Sequence, residues 1–99
     1  MPHSHVIIET EHASKYLNQL CKHFAHKVEV EYDDVKAHVS FIPGPCKMLS
    51  KDGLLIVEGQ SELDQGLLII QSIIDQHIKK FAWREELSLD WKNGPVPDE

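Results

Sequence analysis

Val28-Glu29-Val30-Glu31-Tyr32-Asp33-Asp34-Val35-Lys36-Ala37-His38-Val39-Ser40-Phe41 is the stretch on which the fold turns. Strict alternation over 28–32 puts Val28, Val30 and Tyr32 on one face and both glutamates on the other, the period of a half-buried strand. Asp33-Asp34 supplies turn chemistry. Beyond it Ala37, Val39 and Phe41 alternate with His38, Ser40 and Ile42, a second strand of the same character. Two amphipathic strands joined by so short a turn form an antiparallel hairpin, and one face of that hairpin needs a cover.

Downstream, Pro43-Gly44-Pro45 is expected to break the ladder, because proline has no amide donor. Residues 46–50 then resume with Cys46 and Met48 on one face. Lys51-Asp52-Gly53 holds the Asp-Gly pair of two-residue hairpin turns, so Leu54 to Val57 reads as the returning strand. Ser61 with Asp64 three places on is close to a helix-opening box. Leu63, Leu67, Ile70, Ile74, Ile78 and Phe81 follow at helical spacing, with Lys79 and Lys80 suited to the C-terminal end. Leu87, Leu89 and Trp91 alternate as a last short strand, and residues 93–99 read as a flexible C-terminal tail.

Upstream, Val6-Ile7-Ile8 is a β-branched strand, and Thr10 is placed to cap a helix over about 12–26. At 100° per residue, Ala13, Leu17, Leu20, Cys21 and Phe24 share an arc of roughly 100° and form the buried face. The expected order is β-α-β-β-β-β-α-(β). This is an α+β fold, an antiparallel sheet with two helices packed on one face, in a single domain over 1–92. The other sheet face would then present Glu29, Glu31, His38, Ser40 and Lys47, either to solvent or to a ligand or second copy.

Composition narrows the function classes. With 99 residues and 41% hydrophobic content the chain can bury a core without metal or disulfide staples. A formal charge of −6, from 16 acidic and 10 basic side chains, argues against a nucleic-acid partner, since phosphate tracking needs clustered cations. Protonating all seven histidines would move that charge to +1, so solubility should be poorest at mildly acidic pH. No apolar run reaches the ~18 residues of a membrane span. Two cysteines without CxxC spacing, and no signal-peptide pattern after Met1, fit a reduced cytoplasmic protein.

The segment Tyr16-Leu17 through Leu20-Cys21-Lys22-His23-Phe24-x-His26-Lys27-Val28, followed at a distance by Phe81-Ala82-Trp83-Arg84-Glu85-Glu86-Leu87 and Trp91, resembles the bacterial domain-of-unknown-function family 2218. The resemblance spans nearly the whole chain. It implies a TATA-binding-protein-like arrangement, a sheet with two helices on one side, and a short, stand-alone bacterial protein with no established activity. It brings no catalytic residues to carry over, but marks Cys21, His23, His26, Arg84, Glu85 and Glu86 as motif positions. Shared topology does not extend to DNA binding in so acidic a chain.

Those six residues are the candidate site for a ligand or partner. Cys21 lies on the buried arc and reads as an inert small hydrophobe. His23 and His26, three apart, are the candidate metal ligands, yet a zinc site needs at least one more, for which Glu85 or Glu86 are the sequence-distant candidates. Arg84-Glu85-Glu86 could bring carboxylates to the imidazoles as an acid-base set, or form a solvated corner. An N-terminal copper site at His3 fails, because Pro2 has no amide proton to lose. The leading expectation is a ligand- or partner-binding module rather than an enzyme. The alternatives are a transition-metal or redox-linked accessory protein using the helix-one histidines, and a small enzyme using His and Glu.

Overall fold

The computed structural model describes residues 2–87 and 89–96. Its elements run β1 (His3–Glu9), α1 (Ala13–Phe24), β2 (Val30–Tyr32), β3 (Lys36–Phe41), β4 (Gly44–Lys51), β5 (Leu54–Gln60), α2 (Asp64–Phe81) and β6 (Lys92–Asn93). They form a six-stranded antiparallel sheet ordered β2-β3-β4-β5-β1-β6. The β2-to-β5 meander follows from the alternating strands and their turns. Two crossovers then complete the sheet: α1 carries the chain from β1 to the far edge at β2, and α2 carries it from β5 over β1 to β6. Both helices lie on one face of the sheet, the α+β arrangement expected from the order of the elements.

Register fixes which side chains meet the helices. Val39 pairs with Cys46, Met48 with Val57, and Leu55 with Ile8, so these residues share the inner face. There they pack with Leu17, Leu20, Cys21 and Phe24 of α1 and Ile70, Ile74 and Ile78 of α2. The five α1 residues of the expected arc are all buried, and β3 buries every second residue, as its alternation requires.

Several local readings are corrected. Thr10 makes no N-cap bond to α1; its hydroxyl accepts the His12 N–H at 3.1 Å, and His12 occupies the cap position. The helix stops at Phe24, whose carbonyl accepts the N–H groups of both Lys27 and Val28 at 2.9 Å, so His26 lies in a turn. Ser61 likewise bonds the Leu63 N–H before α2 starts at Asp64, which leaves Leu63 exposed instead of on the apolar face. Pro43-Gly44-Pro45 does not break the ladder, because Ser40 pairs with Pro45 and Phe41 with Gly44. At Asp52-Gly53 the two left-handed residues (φ 49° and 76°) make the tight turn expected there.

The chain after α2 differs most. Leu87, Leu89 and Trp91 pack against the core as irregular chain, and β6 is only Lys92–Asn93. The Trp91 indole N–H donates to Asp75 of α2 at 2.8 Å, which holds this segment without a ladder. Asn93 to Val96, read from sequence as tail, is tied to the sheet. Gly94 N–H donates to the His3 carbonyl at 2.8 Å, His5 Nδ1–H to the Gly94 carbonyl at 3.0 Å, and Val96 N–H to Glu58 at 2.8 Å. Residues 97–99 lie outside the described residues.

Candidate functional site

The six residues singled out from sequence separate into distinct places. Cys21 sits in the core, fully buried, and burial pushes its thiol up to about 11. Cys46 is also fully buried and is pushed up further by burial, then by the neighbouring Cys21 and Glu58. Both thiols are free. A thiol reagent at pH 8 should therefore leave the native protein unlabelled and label both cysteines in denaturant. Rapid labelling of either under native conditions would contradict this packing.

The hydrogen-bond partners of Glu85 are Tyr16 and Thr10, not the helix-one imidazoles. Its carboxylate accepts the Tyr16 hydroxyl and, at 3.1 Å, the Thr10 hydroxyl. Those bonds join the turn after α2 to the start of α1. The Tyr16 bond is the main reason that the Glu85 carboxyl is held below its usual range, and the nearby His12 and Lys15 add to it. Burial first, and Glu85 second, push the Tyr16 phenol up to about 12. Arg84 lies with its guanidinium 4.7 Å from the centre of the exposed Trp83 ring, and Glu86 is exposed. The carboxylates and the helix-one imidazoles therefore form no joint acid-base set.

The imidazole neighbour of His23 is His77 of α2. Their ring centroids are 4.6 Å apart, backed by Phe24 and Phe81. His77 Nδ1 stands 2.7 Å from the Ile73 carbonyl oxygen. Facing an acceptor, that nitrogen carries the proton, so in the neutral ring Nε2 is the one with the lone pair. His23 has its pKa lowered, first by burial and then by His77, Lys27, Lys80 and His26. His26 itself is exposed and lines an open groove with Glu29, Glu31 and His38. Among the described residues, no group of three or more His, Cys, Asp or Glu is placed to hold a metal ion. A clue to His77 was available: it sits seven residues after Ile70 and three after Ile74, at the flank of the apolar stripe.

The outer sheet face holds a second feature. Register lines up Glu31, His38, Lys47, Glu58, His5 and Lys92 as one cross-strand row, and Lys36, Leu49, Ile56 and Ile7 as the next. Ile56 is 7% exposed although its side chain faces away from both helices. His5, on the same face, is 6% exposed under the 94–96 segment. The face is therefore no plain solvated surface. It carries an open trough of about 610 Å³ whose lining includes Leu49, Ile56 and Val96 with the charged Glu31, Asp33, Lys36, Lys47 and Glu58. The unbroken apolar run Leu54-Leu55-Ile56-Val57, buried at 55, 56 and 57, is the local signal that this strand is covered on both faces.

The family model described as an uncharacterized protein conserved in bacteria, DUF2218, matches residues 5–92. The chain belongs to that family. The NMR structure of PA4090 from Pseudomonas aeruginosa is similar over 93% of this chain and 96% of that one, at 29% sequence identity and a TM-score of 0.79. None of the curated proteins matches. The DUF2218 match takes in α1, both hairpins, α2 and the Tyr16–Glu85 contact. It stops at Lys92, just before the segment that brings Val96 to the trough. No helix of the described residues is long and apolar enough to cross a membrane.

Proposed function

We propose that this DUF2218 protein is a small non-enzymatic binding module that seats an amphipathic small molecule with an anionic end on the outer face of its sheet. One observation carries the reading: the trough is lined by the apolar Leu49 and Ile56 together with two lysines, Lys36 and Lys47, which share its rim with Glu31, Asp33 and Glu58. Its volume lies within the ~300–1,000 Å³ range of small-molecule sites, and a mainly apolar seat with a few convergent charges is their usual composition. An apolar body would rest on Leu49 and Ile56, and an anionic head would reach a lysine. The engagement of Glu85 with Tyr16 and Thr10 speaks for binding over acid-base catalysis by Glu85 and the helix-one imidazoles.

The probe for this reading is 8-anilinonaphthalene-1-sulfonate, an amphipathic anion, titrated into 15N-labelled protein. Shifts should concentrate on Lys36, Lys47, Leu49 and Ile56, and Leu49→Glu should weaken binding about tenfold by placing a charge in the apolar lining. Leu49 is only half-buried, so this variant should keep the fold. Shifts confined to the exposed Leu68 and Ile69 of α2, or none at all, would rule the outer face out as the seat.

A further inference from the structure

Outside the trough, the seam between α1 and α2 holds the one close pair of imidazoles recorded among the described residues, His23 and His77. We infer that His23 and His77 form a two-imidazole site for a late first-row divalent transition metal that arrives with two adjacent coordination positions open.

The geometry supports this in three ways. With metal–nitrogen bonds of ~2.0–2.1 Å, two imidazoles on one ion have ring centroids ~4.5 Å apart at a 90° angle and ~5.2 Å apart at a tetrahedral angle. The 4.6 Å observed fits the 90° arrangement. Square-planar and octahedral ions such as Cu²⁺ and Ni²⁺ have that angle, and imidazole suits both. Next, the Ile73 carbonyl takes the Nδ1 proton of His77. A hydrogen bond of this kind orients metal-binding histidines and leaves Nε2 as the donor. Finally, both rings are half-buried, held by surrounding aromatic rings yet open to solvent.

The surroundings also specify what the ion must bring. No third His, Cys, Asp or Glu among the described residues joins the pair, so the remaining positions belong to ligands that come with the metal. Lys80 follows His77 by three places on α2 and so neighbours it on the helix surface, and Lys27 sits in the turn that ends α1 four places after His23. They disfavour a bare dication and favour a complex whose other ligands are anionic. The site is therefore matched to a metal held in a small polycarboxylate-type chelate. The His23–His77 pair shares no residue with the trough.

The Ni²⁺–nitrilotriacetate complex is a direct probe, since it is anionic and leaves two adjacent positions open. It is titrated into the untagged full chain, with paramagnetic broadening of 15N-labelled amides as the map. Broadening should centre on residues 20–27 and 73–81 at one equivalent. His23→Gln and His77→Gln should each weaken binding at least about tenfold, as expected when one of two protein ligands is lost. His26→Gln should leave it within twofold. Broadening centred on His3, His5, His12 or His38, an equal loss in His26→Gln, or no binding would overturn the assignment. The wild-type map decides even if a variant folds poorly, and the trough's own test has a different probe and a different set of shifted residues.

Discussion

Gly44→Ala should be among the most damaging single changes, costing about 3 kcal/mol or more, at the top of the usual range for overpacking. A Cβ on Gly44 would lie 1.8 Å from the carbonyl oxygen of Gln60 and 3.1 Å from the Cα of Ser61. Both obstacles are backbone, so no rotamer change relieves them. Nor can that backbone retreat easily: Gln60 pairs with His3 at the end of β5, and the Ser61 N–H bonds the Pro2 carbonyl at 3.2 Å. For a domain of this size the loss corresponds to a fall in Tm of roughly 12–24 °C. Gly53→Ala is the control. Its Cβ meets nothing within 4 Å, and only its positive φ of 76° opposes the change, so it should cost about 1–2 kcal/mol. Urea unfolding of the two variants checks the contrast. A Gly44→Ala protein as stable as Gly53→Ala would mean that the β3–β4 turn swings freely away from β5.

Tyr16→Phe should lower stability by about 1.5–3 kcal/mol near neutral pH, the range for a hydrogen bond to a charged partner. The phenol donates to Glu85, and together with Thr10 it clamps the turn after α2 onto α1. The pH dependence has a definite sign at each end. Glu85 has its folded-state pKa below the ordinary value of 4.5, so its contribution is present above pH 4.5 and is lost as pH falls through the folded value. Tyr16 is raised from 10.0 to about 12, so its contribution is present below pH 10 and is lost as pH rises from 10 to 12. The stability gap between wild type and Tyr16→Phe should thus narrow in acid and again in strong base. Urea midpoints measured from pH 3 to pH 12 test it. A gap that stays constant at both ends would show that the Tyr16–Glu85 bond does not couple to folding.

Both effects sit at contacts between segments distant in sequence, where no local period marks the partner. Val28 to Phe41 declared a hairpin through period-two alternation, Asp52-Gly53 declared the next turn, and the arc from Ala13 to Phe24 declared a sheet-facing helix. These signals are local, because a strand or helix that buries one face writes its period into consecutive residues. Element ends were less legible. Thr10 and Ser61 carry capping side chains, but each spends its oxygen on an N–H just before the helix.

The candidate site was legible as a set of residues and not as an arrangement. Helical angles placed His23 on the same side of α1 as Tyr16 but could not show what covers that side. Packing of α2 and its following turn supplies the cover: Glu85 for Tyr16, and His77 for His23.

What the sequence by itself determined is therefore the α+β class, the order of the elements and the inner face of the sheet, because each depends on periodicity within one segment. Only the tertiary structure decided that His77 is the partner of His23, that Glu85 serves Tyr16 and Thr10, and that the 94–96 segment lies on the outer face beside Ile56. The reason is physical. Those contacts join residues between 38 and 89 positions apart, and the energy that selects them comes from docking surfaces whose complementarity leaves no period in the chain.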